Sequence, residues 1–362
     1  MKKTVLAAVQ ARSGAQFIEH QGWEIATDYG DRTKEYQAVR SGVGIIDLSH
    51  RGRIEITGKN RIQFLQGLVS NDIKTLKTGT GVIAAFLNVS GRVLADCFIY
   101  AVNDSFLIDT AAPTRERIYQ SLAKFSPAGE FNVNDVTETT AFFSLQGPHS
   151  IKLLASLGAR AVYNLNELEF AEIELAGKQL IALRNSRTGE EGFDLFVTCE
   201  QAVAVYEALL AGGAQPVGLS AFDLLRLEAG IPEYGIDIDE TVIALEAGLE
   251  RAISFTKGCY LGQETIAKIH YRGHDQTAKK LAGLVIEGES APPIGAKIYN
   301  KDGKEIGHIT SAARSPVVGK PIALAYLKRD NFTPGQEHTV EIADQRVIAK
   351  VTALPFYRKA AV

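Results

Sequence analysis

The chain has 362 residues, of which 46% are hydrophobic and 22% charged, and its formal net charge is -3. The length predicts two or three domains, the hydrophobic content excludes general disorder, and the mild negative charge argues against nucleic acid as a partner. Cys97, Cys199 and Cys259 are odd in number and widely spaced, so they support neither a disulfide framework nor a zinc site. This cysteine usage predicts a cytoplasmic protein. No apolar run has the length expected of a signal peptide's core or of a membrane span.

The first predicted elements are an N-terminal helix and, from residue 53, a regular series of strands and helices. A strand is expected over residues 53–58, and Asn60 then caps a helix with Ile62, Leu65 and Leu68 on one face. Strands follow over residues 82–88, 92–102 and 105–110, then a helix over 113–125 and a closing strand near Phe131. This order is ferredoxin-like.

A similar series recurs from residue 140. Strands are expected over residues 142–145, 172–175, 180–184 and 192–198, with helices over 149–157 and 201–210. Residues 106–110 resemble residues 193–198 at an offset of 87, which indicates a duplication. Two similar lobes offer a cleft, the kind of place where small-ligand sites form.

The chain changes character after residue 280. Short apolar runs separated by Gly and Pro turns predict a small all-β domain, with strands over residues 281–286, 296–299, 305–310, 322–327, 338–342 and 346–351. The boundary lies in a polar linker at residues 272–276.

The most informative segment is an eight-residue motif, consisting of Lys257, Gly258, Cys259, Tyr260, Leu261, Gly262, Gln263 and Glu264. It combines a thiol, an ammonium, an amide and a carboxylate with two glycines, and the Lys257 charge would favour the Cys259 thiolate if the two side chains converge. The alternative is a turn that leads into a helix and carries a structural cysteine.

Three further polar clusters are candidate sites. Asp96 lies inside an apolar strand, where a carboxylate could serve general acid/base work or hold an amine, or could simply face water at the strand end. Asp194 follows a glycine-rich acidic loop and could accept paired N–H bonds from a ligand, with a hairpin turn as the alternative. Arg226 and Glu228 form the third cluster, with a simple pairing of the two side chains as the alternative.

Residues 250–280 carry six Lys or Arg against three acids. This excess suits an anionic ligand tail or a macromolecular partner, although a solvated helix face is the common explanation. His270, Tyr271 and His274 could be considered with Cys259 as metal ligands, but these donors are too few, and no metal site is predicted.

Taken in order, these clusters resemble the superfamily of the glycine cleavage T protein (aminomethyltransferase) and the YgfZ-type folate-binding proteins. The resemblance covers nearly the whole chain and rests on Gly22 and Trp23, residues 47–50, 64–66, 71–72, 91–96, 145–148, 188–192, 225–230, 234–240 and 354–357. It implies an α+β, three-domain cloverleaf of T-protein type whose channel binds tetrahydrofolate, as 5,10-methylene or another reduced folate. The expected domains are a folate-binding α/β lobe (residues 1–52 and 137–222), a ferredoxin-like lobe with the motif (53–136 and 223–275) and a C-terminal β-barrel (276–362).

Within the superfamily, the Lys257–Glu264 motif resembles the YgfZ signature, because T proteins usually have an acidic residue at the cysteine and Arg at the glutamine. Asp96 aligns with the transferase's catalytic aspartate. Several other positions depart from the transferase pattern, namely Arg51, Ala95, Arg187, Asp194 in place of a pterin-binding Glu, and Phe222 in place of a folate-binding Arg. The resemblance implies folate contacts from Asp96, Arg187, Asp194 and Tyr357. Folate should bind differently or less tightly than in the transferase unless Arg187 or Arg51 substitutes for the arginine missing at Phe222.

The motif favours a YgfZ-like folate-binding protein that assists maturation or repair of iron–sulfur enzymes, with Cys259 as its reactive group and iron–sulfur assembly proteins as partners. A monomer is expected, although the motif does not bear on this. The alternative is a folate-dependent aminomethyltransferase, in which Asp96 is catalytic and a lipoyl carrier protein is the partner. A module that works with a flavin subunit is a third class, and any flavin would belong to that subunit, because the chain has no dinucleotide fingerprint.

Overall fold

The computed structural model describes residues 1–273, 276–343 and 345–359. His274 and Asp275, in the predicted linker, lie outside the described residues. The chain forms two compact units: the first is Met1–Gln66, Asp72–Ala84 and Cys97–Asp223, and the second is Gly67–Asn71, Ala85–Asp96 and Leu224–Val362. The three predicted domain boundaries stay a prediction.

The N-terminal segment forms a small sheet with two helices. Its elements are β1 (Lys2–Lys3), α1 (Ala7–Arg12), β2 (Gln16–His20), β3 (Trp23–Asp28), α2 (Arg32–Ser41) and β4 (Gly44–Asp47). The sheet has the order β1-β3-β2. The predicted N-terminal helix therefore begins only at Ala7. The Asp31 side chain caps α2 by accepting hydrogen bonds from the backbone N–H groups of Thr33 and Lys34.

The next segment contains the predicted ferredoxin-like series. Its elements are β5 (Gly52–Thr57), α3 (Arg61–Gln66), β6 (Gly81–Leu87), β7 (Val93–Val102), β8 (Ser105–Thr110), α4 (Arg115–Ala123) and β9 (Asn132–Asp135). The sheet order is β6-β7-β8-β5-β9, which is the ferredoxin-like order with β6 added at one edge. The apolar face predicted for α3 is only partly right: Leu65 is buried, Ile62 is exposed, and Leu68 lies beyond the helix.

The second series forms a six-stranded sheet. Its elements are β10 (Thr140–Gln146), α5 (Ser150–Ser156), β11 (Phe170–Leu175), β12 (Lys178–Arg184), β13 (Gly192–Thr198), α6 (Cys199–Ala211) and β14 (Gln215–Val217). The order β11-β12-β13-β10 repeats the order β6-β7-β8-β5 of the ferredoxin-like sheet. Strand β4 then lies between β10 and β14. The repeat starts at Ser105 in β8 and Gly192 in β13, in agreement with the offset seen in the sequence. Apolar side chains from β10 and β13, such as Phe143 and Leu195, form the core against α5 and α6.

The remaining elements include the predicted all-β domain. They are α7 (Leu219–Glu228), α8 (Gln263–Ala267), β15 (Lys279–Ile286), β16 (Lys297–Tyr299), β17 (Glu305–Arg314), β18 (Pro321–Lys328), β19 (Glu337–Ile342) and β20 (Gln345–Thr352). The last six strands close into the predicted barrel, and their order is β15-β18-β17-β16-β19-β20. Alternating residues such as Leu284, Ile309 and Val340 fill its interior. No helix in the described parts of the chain is both long and apolar enough to cross a membrane.

Candidate functional site

The first unit contains two fully buried carboxylates, Asp109 at the end of β8 and Asp194 in β13. Arg187 joins them: its Nη2 lies 2.7 Å from Asp109 Oδ2 and 2.7 Å from Asp194 Oδ2, and its Nε donates to both Asp194 oxygens at 3.0 and 2.9 Å. Arg51 Nε donates to Asp109 Oδ1 at 2.7 Å. Two carboxylates and two guanidinium groups therefore form one neutral, hydrogen-bonded cluster.

The neighbouring polar side chains complete the shell of Asp194. Ser144 Oγ donates to Asp194 Oδ1 at 2.7 Å, and Asn185 Nδ2 donates to Oδ2 at 2.8 Å. Gln146 Nε2 in turn donates to Ser144 Oγ at 2.9 Å. Each oxygen of Asp194 thus accepts hydrogen bonds from this chain, as a buried carboxylate requires.

Arg187 lies in the loop between β12 and β13, not in a strand. Its backbone N–H donates to Gln146 Oε1 at 3.0 Å, which holds the loop against β10. Its Cζ lies 5.0 Å from the ring centroids of both Phe98 and Phe142. The guanidinium therefore contacts two aromatic rings as well as two carboxylates, and such contacts favour a planar cation.

The electrostatics of this cluster follow from burial and ion pairing. Burial alone would raise the pKa of Asp109, but the guanidinium groups of Arg51 and Arg187 hold that pKa below its usual range. Burial lowers the pKa of Arg187, whereas Asp194 and Asp109 more than reverse this, so the pKa is raised. Both shifts favour the charged forms of Asp109 and Arg187 near neutral pH.

Tyr100 borders the same cluster. Burial, and then the charges of Asp109 and Asp194, raise the pKa of its phenol well above the ordinary value. Within the described residues, its buried hydroxyl has no hydrogen-bond partner. A guanidinium has no acceptor to offer this hydroxyl, so the cluster leaves one polar group unsatisfied.

These contacts test whether the residues predicted to bind reduced folate fit it. A carboxylate such as Asp194 suits the donor-rich edge of a pterin ring. Here Asp194 and Arg187, both predicted to contact folate, bind each other instead. In the arrangement described, Asp194 therefore does not fit a pterin ring, and its predicted role stays a prediction.

The second unit contains Asp96 and Tyr357. Asp96 is the fourth residue of the ten-residue strand β7 and lies on the face opposite the buried Val93 and Ala95. Its side chain is half-buried, and its Oδ1 is inaccessible to solvent. The alternative of a strand-end Asp facing water is thus wrong. Tyr357 is also half-buried, and its backbone N–H donates to the carbonyl of Glu228 at 2.9 Å.

The Lys257–Glu264 motif separates into buried and exposed members. Lys257 is buried, and its Nζ donates to the carbonyl oxygens of Val69 at 2.7 Å and Asn71 at 2.8 Å. The same ammonium lies 5.1 Å from the ring centroid of Tyr260, whose pKa is raised to about 12, chiefly by burial. Cys259 is exposed. Lys257 therefore holds the Val69–Asn71 segment in place, a structural task.

The second half of the motif starts a helix. Gly262 has a φ of +84°, and a Cβ there would lie 2.4 Å from the carbonyl oxygen of Asn88, so only glycine fits. Gln263 and Glu264 form the first turn of α8, and Glu264 is largely exposed. Gly258 has open space around its Cα, and nothing requires a glycine there. The turn-into-helix alternative describes this segment well.

The third predicted cluster is also resolved. Arg226 does not simply pair with Glu228: its Nη1 donates to Asp237 Oδ2 at 2.5 Å, and its Nη2 donates to Ser311 Oγ at 2.9 Å. Glu228 accepts a hydrogen bond from Ser315 Oγ. These contacts tie α7 to the barrel strand β17 and to the turn after it, inside the second unit. Their role is structural.

Sequence reasoning missed Asp109, Tyr100 and the Gln146–Ser144 pair. The available signal was Asp109, an acid in the apolar run of β8, but only the repeat drew attention to that strand. Within the described residues, no group of three or more His, Cys, Asp or Glu side chains is placed to hold a metal ion.

Comparison with known proteins identifies the family. Residues 6–257 match the GCVT N-terminal domain, and residues 279–358 match the glycine cleavage T-protein C-terminal barrel domain. The chain belongs to the glycine cleavage T-protein family.

Relatives of this T-protein family member match along their full length. An aminomethyltransferase of Geobacillus kaustophilus is 34% identical, over 99% of this chain and 100% of the relative. One from Halothermothrix orenii is 32% identical, over 98% and 100%. The crystal structure of glycine cleavage system aminomethyltransferase T from Bartonella henselae has a TM-score of 0.91 at 25% identity and covers 98% of both chains. The predicted T-protein fold is confirmed.

These relatives correct the functional prediction. Iron–sulfur enzyme maturation, which the motif around Cys259 favoured, is wrong: the matching relatives are aminomethyltransferases, which was the alternative. The predicted iron–sulfur assembly partners are therefore not supported either. The general class, a transferase of one-carbon groups, is the one that the family supports.

Proposed function

We propose that this protein is an aminomethyltransferase of the glycine cleavage type. It takes an aminomethyl group from the sulfur of a lipoyl carrier protein, transfers the carbon to tetrahydrofolate as a methylene group, and releases ammonia and the carrier thiol. The observation that carries the proposal is the 34% identity to an aminomethyltransferase over 99% of this chain. The family uses tetrahydrofolate as the one-carbon acceptor, so the predicted cofactor is confirmed.

Asp96 is the residue that we assign to the chemistry. Its carboxylate is half-buried in the middle of β7, where it is less hydrated than on a surface and interacts more strongly with a nearby cation. It holds the protonated amine of the donor and orients it for attack by the acceptor nitrogen. Positioning and electrostatic stabilisation supply most of the acceleration in such a reaction.

The test is turnover with tetrahydrofolate and an aminomethylated lipoyl carrier, followed as ammonia and methylene-tetrahydrofolate. Asp96→Asn keeps the shape and removes the charge, so we expect kcat to fall by about 10²- to 10³-fold. Asp104→Asn is the matched control, because the Asp104 side chain is fully exposed. Wild-type-like turnover by Asp96→Asn would contradict the catalytic role of Asp96. Absence of turnover by the wild type would contradict the proposed function.

Cys259 has no part in this proposal. Its thiol is exposed and the reaction needs no thiol from the enzyme, so Cys259→Ala is expected to turn over at the wild-type rate. Loss of turnover in that variant would contradict this statement. The YgfZ-type assignment rested on the same motif, and it stays a prediction about subgroup that the aminomethyltransferase relatives do not support.

A further inference from the structure

Arg187 occupies a position that suits a planar ligand. Four side chains define what we call the Arg187 slot: the rings of Phe98 and Phe142 and the carboxylates of Asp109 and Asp194. Arg187 Cζ is 5.0 Å from each ring centroid, and its Nε and Nη2 atoms bond the carboxylates at 2.7 to 3.0 Å. Aromatic faces together with carboxylate acceptors recognise a flat group that has several N–H donors along one edge.

Groups other than arginine also present guanidine-like N–H donors along one edge. The 2-amino-4-oxopyrimidine ring, which is half of a pterin, has the same arrangement of a carbon bonded to three nitrogens, with N–H donors in one plane. It also has a carbonyl oxygen and ring nitrogens that accept hydrogen bonds. The guanidinium has no acceptor, and the buried Tyr100 hydroxyl beside the slot has no partner within the described residues. A ring of this class would offer Tyr100 an acceptor.

The backbone of Arg187 is anchored separately from its guanidinium. The residue lies in the loop between β12 and β13, and its backbone N–H is held separately by Gln146 Oε1 at 3.0 Å. About 9% of its side chain is exposed, whereas Asp109 and Asp194 are fully buried. Exchange of the guanidinium for a ligand would leave the backbone anchor and both carboxylates in place.

We propose that the Arg187 guanidinium fills this slot in place of a ligand. The slot accepts a flat ring that has guanidine-like N–H donors along one edge, and only when the Arg187 side chain has moved out. The folate part of this inference rests on the proposed function, because the pterin of tetrahydrofolate is such a ring. In this chain Arg187 competes with the cosubstrate for Asp194. Reduced folate binds more weakly than it would to the empty slot.

Two variants open the slot by different amounts. Arg187→Ala removes the guanidinium, and Arg187→Lys keeps a positive charge but removes the planar group, so the charge balance with Asp109 and Asp194 is preserved and folding is safer. Arg184→Ala is the matched control: Arg184 bonds Glu191 at 2.8 and 2.9 Å, on the strand before the same loop, and it has no contact with the slot carboxylates among the bonds described.

The first measurement is chemical rescue with methylguanidine at constant ionic strength. The melting temperature of Arg187→Ala should rise saturably at millimolar methylguanidine and not with methylammonium, whereas wild type and Arg184→Ala should show no saturable rise. The second measurement is calorimetry with 2-amino-4-hydroxypteridine. Arg187→Lys, and Arg187→Ala if it folds, should bind this ring at least 10-fold more tightly than wild type.

The outcomes separate this inference from the proposed function. Equal pteridine affinity in wild type and Arg187→Lys overturns the inference, and so does a folded Arg187→Ala that methylguanidine does not stabilise, even if the wild type transfers aminomethyl groups. If the variants bind both probes while the wild type shows no aminomethyl transfer, the slot stands and the proposed function falls.

Discussion

Lys257 gives the sharpest test of how the motif is built. Its Nζ is buried and donates to the carbonyls of Val69 and Asn71 at 2.7 and 2.8 Å. A hydrogen bond from a charged donor contributes about 1.5–3 kcal/mol, so the two together contribute about 3–6 kcal/mol. Relief from burying an ammonium offsets part of this loss. We therefore expect Lys257→Met to lower the free energy of unfolding by about 2–4 kcal/mol.

Urea unfolding and amide hydrogen exchange measure this change. Since each 1.4 kcal/mol is a factor of ten, exchange in Gly67–Asn71 should accelerate by about 30- to 1000-fold in Lys257→Met. Lys268→Met is the control, because Lys268 is 65% exposed and lies 3.9 Å from Glu264, and it should change the free energy by less than about 0.5 kcal/mol. Wild-type stability and unchanged exchange in Lys257→Met would refute the structural role of Lys257.

Two further predictions concern a glycine and a histidine. Gly262→Ala should destabilise the protein by about 2 kcal/mol or more, because the position combines a positive φ with a Cβ that would lie 2.4 Å from Asn88 O. Gly258→Ala is the control and should cost less than about 1 kcal/mol, because its Cβ would lie in open space. Equal losses of stability in urea unfolding would contradict this prediction. Burial lowers the pKa of His50 from 6.5 to about 3, so the unfolded chain binds a proton between these values that the folded chain does not, and stability falls as pH drops below about 6.5. The wild type should lose about 2 kcal/mol between pH 7.5 and 5 that His50→Gln does not lose, and parallel pH profiles would rule this out.

The sequence predicted those elements that have a strong local pattern. The strands β8 and β13 and the six barrel strands alternate or are short apolar runs bounded by turns, and both features are local. The apolar face of α3 was less predictable, because burial of a six-residue helix depends on what packs against it, and only Leu65 is buried. The place of β4 between β10 and β14 is a long-range pairing that no local pattern encodes.

The candidate site shows the same division. The motif was recognised as a polar cluster, but its residues have different roles. Lys257 donates to distant carbonyls, Gly262 packs closely against Asn88 O, and Cys259 is exposed. The sequence shows which residue types this segment contains. The carbonyl groups that Lys257 and Gly262 contact belong to residues 170 to 190 positions away in the chain. The function inferred from the resemblance of this one motif to the YgfZ signature was wrong, whereas the aminomethyltransferase alternative is supported by similarity along the whole chain.

Arg187 shows why a substitution at a ligand site cannot be read as a simple loss. The sequence suggested that Arg187 could replace a missing folate contact, since a guanidinium binds carboxylates. In the structure the nearest carboxylates belong to the protein itself, Asp109 and Asp194, and the guanidinium binds them with four contacts of 3.0 Å or less. A positive charge beside buried acids satisfies them first, because leaving a buried carboxylate unpaired costs more than losing a contact with a ligand. The arginine that the sequence offers as an added ligand contact is therefore, in the folded chain, bonded to Asp194, itself predicted to contact the ligand.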